Sequence, residues 1–94
     1  ALMWAAWNNH LEMVTALMNH PGIDVNAQER ANWTALHFAV FSNHPAIVAH
    51  LLRDDRIDCS LKDKMYNDTP LKRAIDYGRH ECVKLLREHG APED

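Results

Sequence analysis

The chain has 94 residues, 47% hydrophobic and 24% charged, a balance typical of one folded domain and unlike that of a disordered tail. Its formal net charge of −3 argues against direct nucleic-acid binding, since nucleic-acid binders usually carry a basic stripe. No apolar run approaches the ~20 residues of a membrane span, and no signal-peptide pattern opens the chain. The two cysteines, Cys59 and Cys82, form no CxxC pair, which favours free thiols in an intracellular compartment, cytoplasmic or nuclear.

Capping residues and apolar stripes predict short helices that occur in pairs. Thr34 and Thr69 are residue types that accept a hydrogen bond at a helix start, and prolines such as Pro70 are tolerated at the first helical position. Gly22 and Gly90 follow helical stretches where a left-handed residue is expected. In chain order, the predicted pairs are 1–8 with 11–19, 35–42 with 45–53, and 70–77 with 81–89, and we call the first helix of each pair inner and the second outer.

The sequence repeats itself. A shift of 34 residues aligns the first part with the second, and a shift of 35 aligns the second with the third. Thr-x-Leu-His at 34–37 then matches Thr-Pro-Leu-Lys at 69–72, and GIDVNA at 22–27 matches RIDCSL at 56–61. The shared columns are Leu2, Leu36 and Leu71; Ala5, Ala39 and Ala74; Met13, Ile47 and Cys82; Val14, Val48 and Val83; and Leu17, Leu51 and Leu86. Cys82 is therefore predicted to be a small buried hydrophobe.

The Thr-x-Leu-His string, the paired helices, the VNA triplet and a period near 33 residues resemble ankyrin repeats. The resemblance covers essentially the whole chain, as one domain with units at 1–31, 32–65 and 66–94. It implies an all-α solenoid of stacked helix-turn-helix units with hairpin loops, about two and a half to three repeats long. The sequence departs from the family pattern at Ser60, where the family prefers Asn, and at the inserted Tyr66.

The two ends of the stack are predicted to differ. Two apolar columns become arginine together in the third unit, which predicts a polar C-terminal cap. These columns are Trp4, Phe38 and Arg73, and Met18, Leu52 and Arg87. The first unit keeps large apolar residues in both columns. We therefore expect that residue 1 is not a natural start, and that the chain is a fragment preceded by at least one further unit.

The histidines are expected to support the scaffold, with no catalytic or metal-binding role. His10 and His44 share one column, and the resemblance implies that His37 ties an inner helix to a loop. A zinc site would need four converging ligands at characteristic spacings, which the sequence lacks. His80 and Cys82 lie two residues apart and so point to different faces of a helix. No catalytic residue, metal or cofactor is predicted, and the chain is not expected to be an enzyme.

Aromatic residues mark a candidate binding face. Trp7 and Phe41 share a column just past the core alanines, and Tyr77 lies one position later. The resemblance implies that these positions face a concave groove that binds other proteins. The predicted protein-binding residues are Trp7, Asn8, Trp33, Phe41, Ser42, Tyr66, Asp68, Asp76 and Tyr77. The alternative is that the rings pack between units, as Trp4 and Phe38 are predicted to do in the core.

The function expected from the resemblance is that of a scaffold or adaptor module that binds a protein or peptide partner. The alternative is a regulatory or substrate-recruiting domain of an enzyme whose catalytic part lies outside these residues. Asn26 occupies the asparagine position of the VNA triplet. The resemblance implies hydroxylation of this residue by an oxygen-dependent asparaginyl hydroxylase. The sequence does not identify the partner, because ankyrin scaffolds bind unrelated proteins.

Overall fold

The computed structural model describes residues 2–93, except for the side chain of Arg30, and contains three pairs of short helices joined by loops. The helices are α1 (Leu2–Trp7), α2 (Leu11–Met18), α3 (Ala35–Phe41), α4 (Pro45–Leu52), α5 (Pro70–Asp76) and α6 (His80–His89), with a 3₁₀ turn at Arg30–Asn32. Each predicted helix is present, with bounds shifted by one residue at some ends. The predicted start at residue 1 lies outside the described residues.

Local capping explains where the inner helices begin. The Thr34 hydroxyl accepts a hydrogen bond from the His37 amide at 3.3 Å, and His37 Nδ1 accepts one from the Thr34 amide at 3.2 Å. This reciprocal pair satisfies two backbone donors that the first turn of a helix leaves free. At α5 the Thr69 hydroxyl provides the cap by accepting from the Lys72 amide at 3.2 Å. Pro70 occupies the first turn of α5, as predicted.

Residues with positive φ form the turns between the paired helices. Asn9 and Asn43, each with φ of 58°, separate the inner from the outer helix in the first two units, and Gly78 does so in the third with φ of 67°. Asparagine tolerates the left-handed region better than most residues with a Cβ. Gly90 adopts φ of 89° at the end of α6, as predicted.

The prediction that Gly22 is left-handed is wrong. The helix α2 ends at Met18, and its end is closed by Asn19 in a right-handed conformation. The Asn19 amide bonds to the Thr15 carbonyl, and the Gly22 amide bonds to His20 Nδ1 at 3.3 Å. The end of α2 is thus closed before position 22, and the glycines with positive φ among the described residues are Gly78 and Gly90.

The helices stack as two layers, with α3 packed between α1 and α5 and with α4 packed between α2 and α6. The three column alanines are fully buried where neighbouring inner helices approach one another: Ala5, Ala39 and Ala74. The outer helices bury Ile47 and Leu51 in the second unit and Cys82 and Leu86 in the third. Burial raises the pKa of the Cys82 thiol to about 11, which agrees with its predicted core position.

Polar contacts also join successive units. His44 Nε2–H donates to the Trp7 carbonyl at 3.0 Å, and Arg79, in the same repeat column, donates to the Phe41 carbonyl at 2.9 Å. The carbonyls at the ends of α1 and α3 are therefore bonded by the unit that follows. Arg56 likewise donates to the Met18 carbonyl, at the end of α2, at 2.7 Å. These bonds satisfy helix-end acceptors and fix the spacing between units.

The polar cap prediction holds at one position and fails at the other. Arg87 is exposed on α6 and forms an ion pair with Glu93 at 3.2 Å. Arg73 is buried, so it provides no polar outer surface. Its side chain lies on the inner-helix side of the stack, where it meets the loop that precedes α5. The longest helix among residues 2–93, α6, has 10 residues, which is too short to span a membrane.

His37 should make stability depend on pH. Burial lowers its pKa below the ordinary 6.5, so the folded state favours the neutral ring, which bonds Thr34 and the Asp68 carbonyl. This contribution is complete above the unfolded pKa and is lost as pH falls towards the folded pKa. The urea midpoint should therefore drop between about pH 7.5 and about pH 5.5. The drop should be smaller in His37→Gln, and an equal drop in both proteins would contradict this assignment.

Candidate protein-binding groove

The inner helices and the connecting loops border an open cavity of about 710 Å³. Six aromatic side chains line it, and we call this surface the aromatic groove: Trp4, Trp7, Trp33, Phe38, Phe41 and Tyr77. The polar residues that line the groove include Asn8, Glu29 and Arg73. Each unit contributes at least one ring, so the surface is created by stacking and does not exist within one repeat.

Five of the six rings, all except Trp4, form a continuous network. Phe41 lies at the centre, with its ring centroid 6.1 Å from Trp7, 5.4 Å from Trp33 and 5.3 Å from Tyr77. Phe38 lies 5.0 Å from Trp7 and 4.9 Å from Trp33. Such tilted and edge-on contacts are favourable geometries for aromatic pairs. The outer members remain accessible, with 48% of Trp7 and 40% of Tyr77 exposed.

The structure brings together five of the nine predicted binding residues. Those that line the groove are Trp7, Asn8, Trp33, Phe41 and Tyr77. The other four, Ser42, Tyr66, Asp68 and Asp76, do not line it. Asp76 is exposed and bonds Lys72 at 2.9 Å, while the Asp68 carbonyl accepts from His37. Whether any of the nine residues binds a partner stays a prediction.

Trp33, which the sequence predicted to be a protein-binding residue, is buried, with only 8% of it accessible. The antiparallel bridge between Glu29 and Trp33 folds the loop back just before α3. This places the indole against Phe38 and Phe41 and beneath the Arg73 guanidinium. The ring therefore forms the floor of the groove.

Trp4 shows the opposite error. The repeat column predicted a core position, yet 56% of the residue is exposed. Phe38, its counterpart in the second unit, is half-buried because it contacts Trp7 and Trp33. No helix within residues 2–93 packs on the corresponding side of α1, and the Trp4 ring instead stacks on His10 with centroids 5.1 Å apart.

Arg73 is the centre of a buried polar cluster that the sequence did not predict. Its guanidinium bonds Asp63 at 2.7 Å and the Tyr77 hydroxyl at 2.9 Å. It also lies 4.8 Å from the Trp33 ring and 5.0 Å from the Tyr66 ring, within the range of cation–π attraction. Burial opposes ionisation of Asp63, but the Tyr66 amide and the Arg73 guanidinium outweigh it and lower the pKa of that carboxyl.

A signal for this cluster was available in the repeat alignment. Arg73 is the charged residue in a column that is otherwise aromatic, and Asp63 aligns with Glu29 of the previous loop. A new cation at position 73 and a carboxylate on the loop just before its helix could have indicated an ion pair between the second and third units. The prediction of a polar cap accounted for Arg73 alone and did not consider Asp63.

The chemically reactive side chains of the described residues include histidines, carboxylates and two free thiols. Within residues 2–93, no three His, Cys, Asp or Glu side chains converge on a point that could hold a metal ion. Cys59 lies 3.8 Å from His89 Nδ1, but burial raises the pKa of its thiol, so the thiolate is disfavoured. The groove itself presents ring faces, the Asn8 amide and the Glu29 carboxylate.

Asn26 is half-buried and joins two successive loops. Its amide donates to the Arg56 carbonyl at 2.7 Å, and its oxygen accepts from the Asp58 amide at 2.7 Å. The side chain therefore has a structural role between the units. Hydroxylation of Asn26 stays a prediction.

A family model described as ankyrin repeats, in three copies, matches residues 2–93. The chain belongs to the ankyrin repeat family. The prediction of an all-α ankyrin stack is therefore confirmed, and domains of this family are generally protein-interaction modules.

Three relatives show how such a domain is embedded in other proteins. Human SMC5-SMC6 complex localization factor protein 1 is 38% identical over 93 residues, covering 98% of this chain and 9% of that protein. A putative ankyrin repeat protein of Rickettsia bellii is 36% identical over 81 residues, covering 85% of this chain and 43% of that protein. Glycerophosphocholine phosphodiesterase GDE1 of Candida albicans is 33% identical over 95 residues, covering 99% of this chain and 8% of that protein.

Proposed function

We propose that this ankyrin domain is a protein-binding module, without catalytic activity of its own, that holds a partner in the aromatic groove. The observation that carries the proposal is the ring network with exposed members at both ends. Exposed aromatic clusters are uncommon on isolated domains and are enriched in the hot spots of protein interfaces. A segment laid along the groove would contact all three units.

The groove is fixed before a partner arrives. The Trp7 and Phe41 carbonyls accept hydrogen bonds from His44 and Arg79, which hold the ends of α1 and α3. The rings themselves support one another through the Phe41 contacts. A preorganised surface loses little conformational entropy on binding, so more of the contact energy contributes to affinity.

The free cysteines Cys59 and Cys82 support an intracellular location, cytoplasmic or nuclear.

Phe41→Ala should abolish or weaken binding while the helices remain folded. We expect a loss of about 1–3 kcal/mol in binding if Phe41 is a hot spot. The measurement uses a peptide selected on this chain from a random library, with affinities determined by calorimetry and helical content by circular dichroism. Phe38→Ala should mainly destabilise the fold, because Phe38 packs against the buried core.

The off-groove control is Met13→Ala, which removes an apolar side chain that is 44% exposed on α2. It should leave the affinity unchanged. Binding that survives Phe41→Ala but is lost in Met13→Ala would place the partner on the outer helices. Equal destabilisation by Phe41→Ala and Phe38→Ala would show that the Phe41 ring serves the core.

A second candidate function rests on the similarity to a phosphodiesterase. In that relative the matching segment is 8% of the protein, so a related repeat domain accompanies an enzyme there. In this alternative the groove would regulate an enzyme or recruit its substrate, with catalysis outside these residues. The test is to assay the full-length parent protein with and without Phe41→Ala. A change in catalysis without loss of a separate partner would favour this alternative.

A further inference from the structure

The two loops that precede α3 and α5 place a carboxylate at the same position. The Glu29 amide donates to the Trp33 carbonyl at 3.1 Å, and the Asp63 amide donates to the Asp68 carbonyl at 2.9 Å. These matching backbone bonds agree with the repeat alignment, in which Asp63 follows Glu29 by one period. Glu29 and Asp63 are therefore equivalent residues of successive units.

Only one of the two carboxylates has a cation within the described part of the chain. Asp63 bonds the Arg73 guanidinium at 2.7 Å, and that guanidinium lies against the Trp33, Tyr66 and Tyr77 rings. In α3, the residue equivalent to Arg73 is Phe38. Among the described residues, no hydrogen bond or ion pair involves the Glu29 side chain. The first loop thus carries the carboxylate without its guanidinium.

The surroundings of Glu29 resemble those that hold Arg73. Glu29 is exposed and lines the aromatic groove together with Trp4 and Trp7, which are 56% and 48% exposed. The other charged residue that lines this part of the surface is Arg73, whose charge Asp63 already compensates. Among the described side chains, the groove therefore combines accessible ring faces with one carboxylate that has no cation beside it. A cation is the complementary group for both features.

We propose that the groove binds an arginine side chain of the partner. Its guanidinium would hydrogen-bond the Glu29 carboxylate and stack against the neighbouring rings. This inference rests on the proposed function, because it specifies what the groove binds. Arginine fits better than lysine because its planar group stacks on aromatic faces and makes two parallel hydrogen bonds to a carboxylate. The chain already uses this combination internally at Arg73.

The test compares acetyl-Leu-Arg-Leu-amide with its citrulline analogue, which has nearly the same shape but no charge. Binding is followed by NMR through the indole N–H signals of Trp7 and Trp33. The arginine peptide should bind about tenfold more tightly than the citrulline peptide, and the lysine analogue should fall between them. Glu29→Gln should remove the difference between arginine and citrulline.

Glu12→Gln provides the matched control, because it makes the same charge change at an exposed position on α2. It should keep the full preference for arginine. Equal binding of the arginine and citrulline peptides at the groove would overturn the inference and leave the proposed groove intact. A preference that persists in Glu29→Gln would overturn the role of Glu29. If no tripeptide perturbs the indole signals while a library-selected peptide still depends on Phe41, the arginine site is excluded.

Discussion

Asp63→Ala should lower the free energy of unfolding by about 3–5 kcal/mol, because it leaves a buried guanidinium without its counter-ion. Both side chains of the Asp63–Arg73 pair are almost completely excluded from solvent. Arg73 would keep the Tyr77 hydroxyl and three ring contacts, but no negative charge. Urea denaturation followed by circular dichroism measures the loss.

The control is Asp76→Ala, which removes the exposed partner of Lys72 on the same helix. Exposed pairs of this spacing contribute about 0.3–0.5 kcal/mol, so the effect should be small. The double variant Asp63→Ala/Arg73→Leu should recover much of the lost stability, since it removes the unpaired charge as well. If Asp63→Ala costs no more than Asp76→Ala, the buried pair does not stabilise the fold.

Trp33→Ala should cost about 3–5 kcal/mol of stability, whereas Trp4→Ala should cost less than about 1 kcal/mol. Both substitutions remove an indole, but Trp33 is buried among Phe38, Phe41 and Arg73, while Trp4 is largely exposed. Deleting a buried ring leaves a cavity that the surrounding side chains fill only in part. The measurement is again the free energy of unfolding in urea.

The stability losses of the two tryptophan variants test whether the structure or the repeat columns describe the burial of Trp4 correctly. The columns placed Trp4 in the core, whereas Trp33 was predicted to bind a partner. A larger loss for Trp4→Ala would therefore favour the columns and contradict the observed burial. Trp33→Ala also removes the floor of the groove, so its binding should be measured only where the protein remains folded.

The helices were predictable because their signals are local. Thr34 and Thr69 cap the helices that follow them, and Pro70 lies in a first turn. The repeat period added the burial of Ala5 and Ala39, since small residues in one column indicate close helix packing. Neither inference requires knowledge of distant side chains.

The burial of some side chains was predicted wrongly because it depends on contacts from neighbouring units. Phe38 is covered by Trp7 from the unit before it and by Trp33 from the loop, while Trp4 in the same column has no such cover. Arg73 is buried because Asp63 on the preceding loop compensates its charge. A column records which side an inner-helix residue faces, but the burial of that residue is decided by what the adjacent loop supplies.

The ring network also links recognition to the unfolding of the stack. Trp7, Phe41 and Tyr77 come from three successive helix pairs, and Arg79 of the last pair holds the Phe41 carbonyl. Fraying of α6 would therefore loosen a ring in the middle of the molecule as well as the one at its end. A ligand that contacts all three rings should stabilise the three helix pairs together, because the unfolding of any one pair would remove part of its binding site. Under mechanical force, the ligand-bound domain would then unfold in one step, whereas the free domain would unfold one helix pair at a time.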